Sequence, residues 1–170
     1  LTMWRVFLLA LHNEIEFENE ICGHLASHGW LYSPTDAGYD RERALFPKDV
    51  FGWLEDTAPD ELAKILKPGL NPTMLAKAQL RVLDRLAAVM GADPFNGGGT
   101  LNAIKKPVGV TPATLRMFQP KPADGLNPTT VQRYGHNRLR VMRQVHYSTT
   151  SNKSLDLVFF LNGLPVATVE

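Results

Sequence analysis

The chain has 170 residues, 44% of them apolar and 21% charged, which is ordinary for a soluble globular protein and enough for one domain with a real core. A net charge of +1 excludes a global pull toward nucleic acid, so any such binding has to come from local patches. The single cysteine, Cys22, excludes an internal disulfide and favours a reducing compartment, hence the cytoplasm.

The first segment, LTMWRVFLLAL, is too short to span a bilayer and has no small-residue cleavage site after it. It reads as a packed or partner-seeking helix, or as residues outside the natural domain, and no membrane association is expected. From Glu14 to His28, Phe17, Ile21 and Leu25 recur every four positions and predict one apolar helical face, with Gly29 as its left-handed stop. Turn formers follow in YSPTDAGYDRER. Short helices are expected over PKDVFGWLED and PDELAKILK, the second with Pro59 in its first turn.

The strongest helical signal runs from Thr73 to Met90, with Leu75, Leu80, Leu83 and Leu86 on its apolar side and Gly91 as stop. Trp53 and Leu54 are expected to pack against it. The tract DPFNGGGT lacks the Lys-Ser/Thr of a phosphate-binding loop and reads as a mobile connection. ATLRMFQ and RLRVMRQVHYS are strand-like, separated by the Pro-rich PKPADGLNPTT. In the second, Leu139, Val141 and Val145 alternate with Arg138, Arg140 and Gln144.

The order predicts an α+β fold in a single domain. Residues 1–13 are an extra segment, 14–30 the core helix, 31–110 a mainly helical insertion with loops, and 111–170 a mainly antiparallel sheet.

The chain closes on SLDLVFFLNGLPVATVE, in which Asn162-Gly163 between two apolar runs signals a hairpin. A strict two-residue turn pairs Phe159 with Val166 and Asp156 with Val169, which sends Glu170 to the face opposite Asp156. An odd turn with Gly163 as bulge residue pairs Phe160 with Leu164 instead. Asp156 then opposes Thr168, and Glu170 is its diagonal neighbour on the same face. Two converging carboxylates suit Mg²⁺, which serves phosphodiester hydrolysis. The plain alternative is a pair of strand-end charges, solvated or matched by Arg140 or Arg143.

The segment from Asn137 to Glu170 resembles the N-terminal nuclease region of type I restriction endonuclease R subunits. The likeness rests on the pattern hxDhhhFhNGhPhhhhExK (h, apolar) of the PD-(D/E)xK superfamily. Asp156 takes the place of the motif's Asp and Glu170 that of its Glu. EFENEICGHLASHGW is similar to that family's first helix, where Glu18 best matches a helix acid that often completes the metal site. A solvated helix charge is the other reading of Glu18.

The resemblance implies catalytic Asp156 and Glu170 holding Mg²⁺, and endonucleolytic cleavage of double-stranded DNA. It implies a parent protein acting with methylation and specificity subunits, with ATP and S-adenosylmethionine used in that complex and not bound by residues 1–170. Arg138, Arg140, Arg143 and Lys153 form a candidate basic cluster for DNA phosphates. The pattern's Lys falls two residues after Glu170, with a further helix and strand beyond. The 170-residue piece is therefore expected to be an incomplete nuclease domain without activity of its own. The rival expectation is a DNA-binding or assembly module that keeps the fold without cleaving. Cys22, His24 and His28 lie close together, but a zinc site needs a further ligand that nothing signals.

Overall fold

The computed structural model describes residues 2–170, with side chains from Glu14 onward. In chain order the elements are α1 (Thr2–Ser27), β1 (Leu31–Ser33), α2 (Pro47–Thr57), α3 (Pro59–Ile65) and α4 (Pro72–Gly91). There follow a 3-10 turn (Pro94–Asn96), α5 (Thr100–Lys105), β2 (Val108–Val110), β3 (Ala113–Leu115) and α6 (Pro128–Gly135). The chain ends in β4 (Leu139–His146), β5 (Ser154–Leu161) and β6 (Leu164–Val169). A mixed sheet in the order β1-β4-β5-β6 and a small β2-β3 sheet make the fold α+β.

Local chemistry sets most helix starts. Proline opens α2, α3, α4 and α6, where its missing N–H costs nothing. Asn71 and Asn127 cap α4 and α6 by accepting from Met74 N and Thr130 N. Gly29, at φ 89°, ends the first helix as expected, with Trp30 N donating back to Leu25 O.

The first helix differs from expectation in two ways. Its backbone runs unbroken from Thr2, so the proposed division at residue 14 is not a helix boundary. Its buried stripe is also rotated: Glu18 and Cys22 are buried and Ile21 and Leu25 partly so, whereas Phe17 is 62% exposed. Stripes 17-21-25 and 18-22-25 are adjacent on a helix, so a small rotation exchanges them. The sheet decides between them, because Arg143 on β4 requires an acid opposite.

The stretch from Leu31 onward is not purely helical. Leu31–Ser33 pairs in parallel with Arg140–Met142. Three residues are too few to display a period, so the turn formers around them dominate the sequence signal. Beyond it the helical insertion stands, and Trp53 and Leu54 share a buried cluster with Val82, Leu83 and Leu86 of α4. β2 and β3 join that same cluster. The strand expected over ATLRMFQ is therefore three residues long and belongs to the helical layer. The Pro-rich tract after it holds the start of α6.

DPFNGGGT is a folded turn. Asp93 caps the 3-10 turn by accepting from Phe95 N, and Gly99 N donates to Val89 O. Gly98 is buried so tightly that a Cβ there would collide with the Ala92 carbonyl. The glycines permit close packing of α4 against α5.

Strands β4 and β5 are covered on both faces, whereas most of β6 is exposed. Cys22, Ile21 and Leu25 of α1 pack on Val141 and Leu157, while Phe46 packs on Met142, Val158 and Phe160. Burial raises the Cys22 thiol above its ordinary range, Arg143 acting against this and Glu18 adding to it. Labelling by a neutral thiol reagent should be at least ~10²-fold slower in the native chain than in denaturant, because it requires local opening. Rapid stoichiometric labelling of the native chain would contradict this packing.

Candidate functional site

The β5–β6 hairpin is built from the turn outward. Asn162 and Gly163 take φ 51° and 83°, and Leu161 pairs with Leu164, so the turn has two residues. Phe160 then pairs with Pro165, but Phe159 pairs with Ala167. Val166 is thus an extra residue on β6. Pro165 beside it has no N–H for the ladder, and proline in sheets gathers at such bulges. After the bulge Val158 pairs with Thr168 and Leu157 with Val169. That is the last pair of the ladder, and the same register continued one step aligns Glu170 with Asp156.

The odd residue therefore lies at Val166, not in the turn at Gly163, and the register, continued one step past the last ladder pair of Leu157 with Val169, aligns Glu170 with Asp156 instead of setting it diagonally. Cross-strand neighbours share a face, with Cβ atoms about 4.5–5.5 Å apart. A strict register would have placed the two acids on opposite faces.

The turn is clamped from below. The buried Asn162 amide donates to Met117 O at 2.9 Å and to Asn137 Oδ1 at 3.0 Å, while its Oδ1 accepts from Arg138 N at 2.6 Å. Gly163 O accepts from Phe46 N at the start of α2. The Asn-Gly pair thus docks the hairpin on the helical layer as well as turning it, a role its two-residue signal does not display.

Gln144 lies opposite Asp156 on β4 and holds a left-handed φ of 50°. On one side of this step Arg143 and Leu157 face α1; on the other, Val145 and Leu155 pack with Phe46's cluster. The two strands exchange faces at Asp156. Gln144 Nε2 donates to Asp156 Oδ1 at 3.3 Å, and Ser154 Oγ donates to Gln144 Oε1. A left-handed non-glycine residue costs on the order of 1–3 kcal/mol and concentrates at functional sites. Alternation alone makes Gln144 an ordinary exposed strand residue; its place opposite the motif's acid is the signal that could have singled it out.

The expected basic cluster is not assembled. Arg138 pairs with Asp56 at 2.8 Å. Arg140 is buried, bound to both oxygens of Asp49 at 2.6 and 3.0 Å, with its guanidinium 4.1 Å from the Phe46 ring centre. Arg143 grips Glu18 Oε2 at 2.9 and 2.6 Å. Three arginines thus serve as internal ties to different elements, and Lys153 is left exposed by itself. Glu18 is buried and bound by Arg143, so the reading as a solvated helix charge does not hold. No set of three or more His, Cys, Asp or Glu able to hold a metal occurs among the described residues.

Asp156 and Glu170 consequently have no ion pair among the described residues. The arginines that were their alternative partners are engaged elsewhere. Two carboxylates with no neutralising cation can offer oxygen ligands to a hard divalent ion, leaving the other positions to water or phosphate.

An α+β fold with a bulged terminal hairpin and facing acids is the context in which the comparisons stand. Residues 101–170 match the model of the family described as type I restriction enzyme R protein N terminus (HSDR_N). The match takes in α6 and β4–β6 and covers less than half of the chain. No match was found among curated proteins or solved structures. No helix among the described residues is long and apolar enough to cross a membrane.

Proposed function

We propose that the chain is nuclease-bearing sequence of a type I restriction enzyme R subunit, and that it acts on double-stranded DNA in the cytoplasm. The observation that supports this reading is the bulge at Val166, which shifts the β5–β6 register by one so that, continued one step past Val169, it aligns Glu170 with Asp156 inside the region matching the family. The donor set fits Mg²⁺: two facing carboxylates, one held only by a neutral amide, with no competing cation.

Asp156 and Glu170 would hold Mg²⁺ through their carboxylate oxygens. The ion would supply an activated water and charge stabilisation for the leaving oxygen of a phosphodiester. Gln144 orients the Asp156 carboxylate. The Lys that the PD-(D/E)xK pattern places two residues on would stabilise charge on the scissile phosphate. ATP and S-adenosylmethionine enter through the parent complex with its methylation and specificity subunits.

The test uses an R subunit carrying this sequence, assembled with its partner subunits and an unmethylated plasmid. Asp156→Ala should reduce Mg²⁺-dependent cleavage by ~10²–10³-fold or more while DNA binding persists. Unaltered cleavage would overturn the proposal and leave a DNA-binding or assembly module with a nuclease-like fold.

A further inference from the structure

From Lys64 to Arg81 the sequence holds three lysines, one arginine and no acid. In a chain of net charge +1, the remainder carries +1 less +4, or −3. The fold concentrates this charge. Lys64 and Lys67, at the end of α3 and just after it, face Lys77 and Arg81 of α4 across an open groove of about 400 Å³. All four are exposed. Lys64 pairs with Glu61, whereas Lys67, Lys77 and Arg81 have no hydrogen bond or ion pair among the described residues.

The groove's occupant follows from what it presents. Ile65 on its floor is 3% exposed, and Leu70 and Ala78 are mostly covered. Met74 and Pro112 are exposed along it, so the groove is a shallow apolar strip flanked by the cationic heads of Lys64, Lys67, Lys77 and Arg81. Lys77 and Arg81 stand one helical turn apart, roughly 6 Å along α4. That spacing suits successive anions along a backbone, and lysines serve it as point charges without selecting among bases.

We infer that the groove between α3 and α4 is a second DNA-binding surface, separate from the hairpin, which holds the phosphate backbone of a duplex without reading its sequence. This rests on the DNA-acting reading for its ligand but not on cleavage. It also supplies the cationic surface that Arg138, Arg140 and Arg143, engaged in internal pairs, do not provide.

The experiment follows fluorescence anisotropy of a labelled duplex of about 30 base pairs, without divalent cation, across about 50–200 mM salt. It compares the chain with Lys77→Gln/Arg81→Gln and with Lys105→Gln/Lys106→Gln, which removes equal charge at the end of α5. Circular dichroism establishes that both variants are folded. The groove variant should bind at least about tenfold more weakly, and its log–log salt slope should be shallower by about 1 for each phosphate it no longer neutralises. The α5 variant should match the parent chain. The inference is overturned if the parent does not bind the duplex, if both variants weaken equally, or if the groove variant is unchanged. It also falls if the groove variant keeps duplex binding but loses binding to polyglutamate, which would assign the groove to an acidic protein segment. Persistent duplex binding combined with unaltered cleavage by Asp156→Ala would instead strike the catalytic proposal alone.

Discussion

Arg140→Ala is expected to lower stability to urea by ~3–5 kcal/mol. Asp49 is 1% exposed and Arg140 9%, and the guanidinium holds both carboxylate oxygens. Removing the arginine leaves a buried charge with no partner, and that uncompensated desolvation dominates the loss. The same guanidinium donates to Ser33 Oγ on β1 and lies over Phe46. Four pieces of the fold therefore loosen together: β1, β4, the loop before α2, and α2 itself. Since small domains have about 5–15 kcal/mol in total, the variant should populate unfolded chains on mild heating. The double replacement Arg140→Met/Asp49→Leu removes both charges and should recover most of the loss. A single variant within about 1 kcal/mol of the parent, or a double variant no better than the single, would contradict this account.

Gly163→Ala is the second large effect, with an expected cost of about 2–5 kcal/mol, the sum of a backbone and a packing penalty. At φ 83° an added Cβ carries the left-handed penalty of roughly 1–2 kcal/mol. It would also stand 2.5 Å from Val50 Cγ2 and 2.6 Å from Phe46 O. The second of these is backbone at the start of α2, which cannot yield as a side-chain tip can, so overpacking adds about 1–3 kcal/mol. Gly23→Ala in α1 meets nothing within 4 Å and should gain roughly 0.5–1 kcal/mol from helix propensity. Urea denaturation of the two variants separates a site-specific clash from a general glycine effect. Equal behaviour would mean that the turn is not clamped on α2.

Much of the architecture is legible in the sequence because it depends on neighbours along the chain. Pro59, Gly29 and the apolar spacing of α4 mark helices, and Asn162-Gly163 marks the hairpin. The parity of residues between Asp156 and Glu170 shows that the two acids share a face only if one residue is out of register. Its position is not legible in that count, although Pro165, which has no N–H to give the ladder, marks it chemically. What escapes the sequence depends on distant partners. Arg138 and Arg140 alternate as a solvated face does and Arg143 falls on the apolar parity, yet the acids of all three lie 82, 91 and 125 positions away. Glu18 is ambiguous for the same reason, since a helix stripe shows its width but not which edge meets Arg143. β1 gains its identity only by pairing with β4.

The central claim is that Asp156 and Glu170 together hold one divalent cation, and Mn²⁺ binding followed by electron paramagnetic resonance tests it most directly. The chain should bind Mn²⁺ at one principal site that Mg²⁺ displaces. Asp156→Asn and Glu170→Gln should each weaken that site by ~10-fold or more, since a hard ion with two protein carboxylates loses half its anionic ligands. Affinity unchanged in either variant would contradict the claim, because the facing acids would then not share an ion.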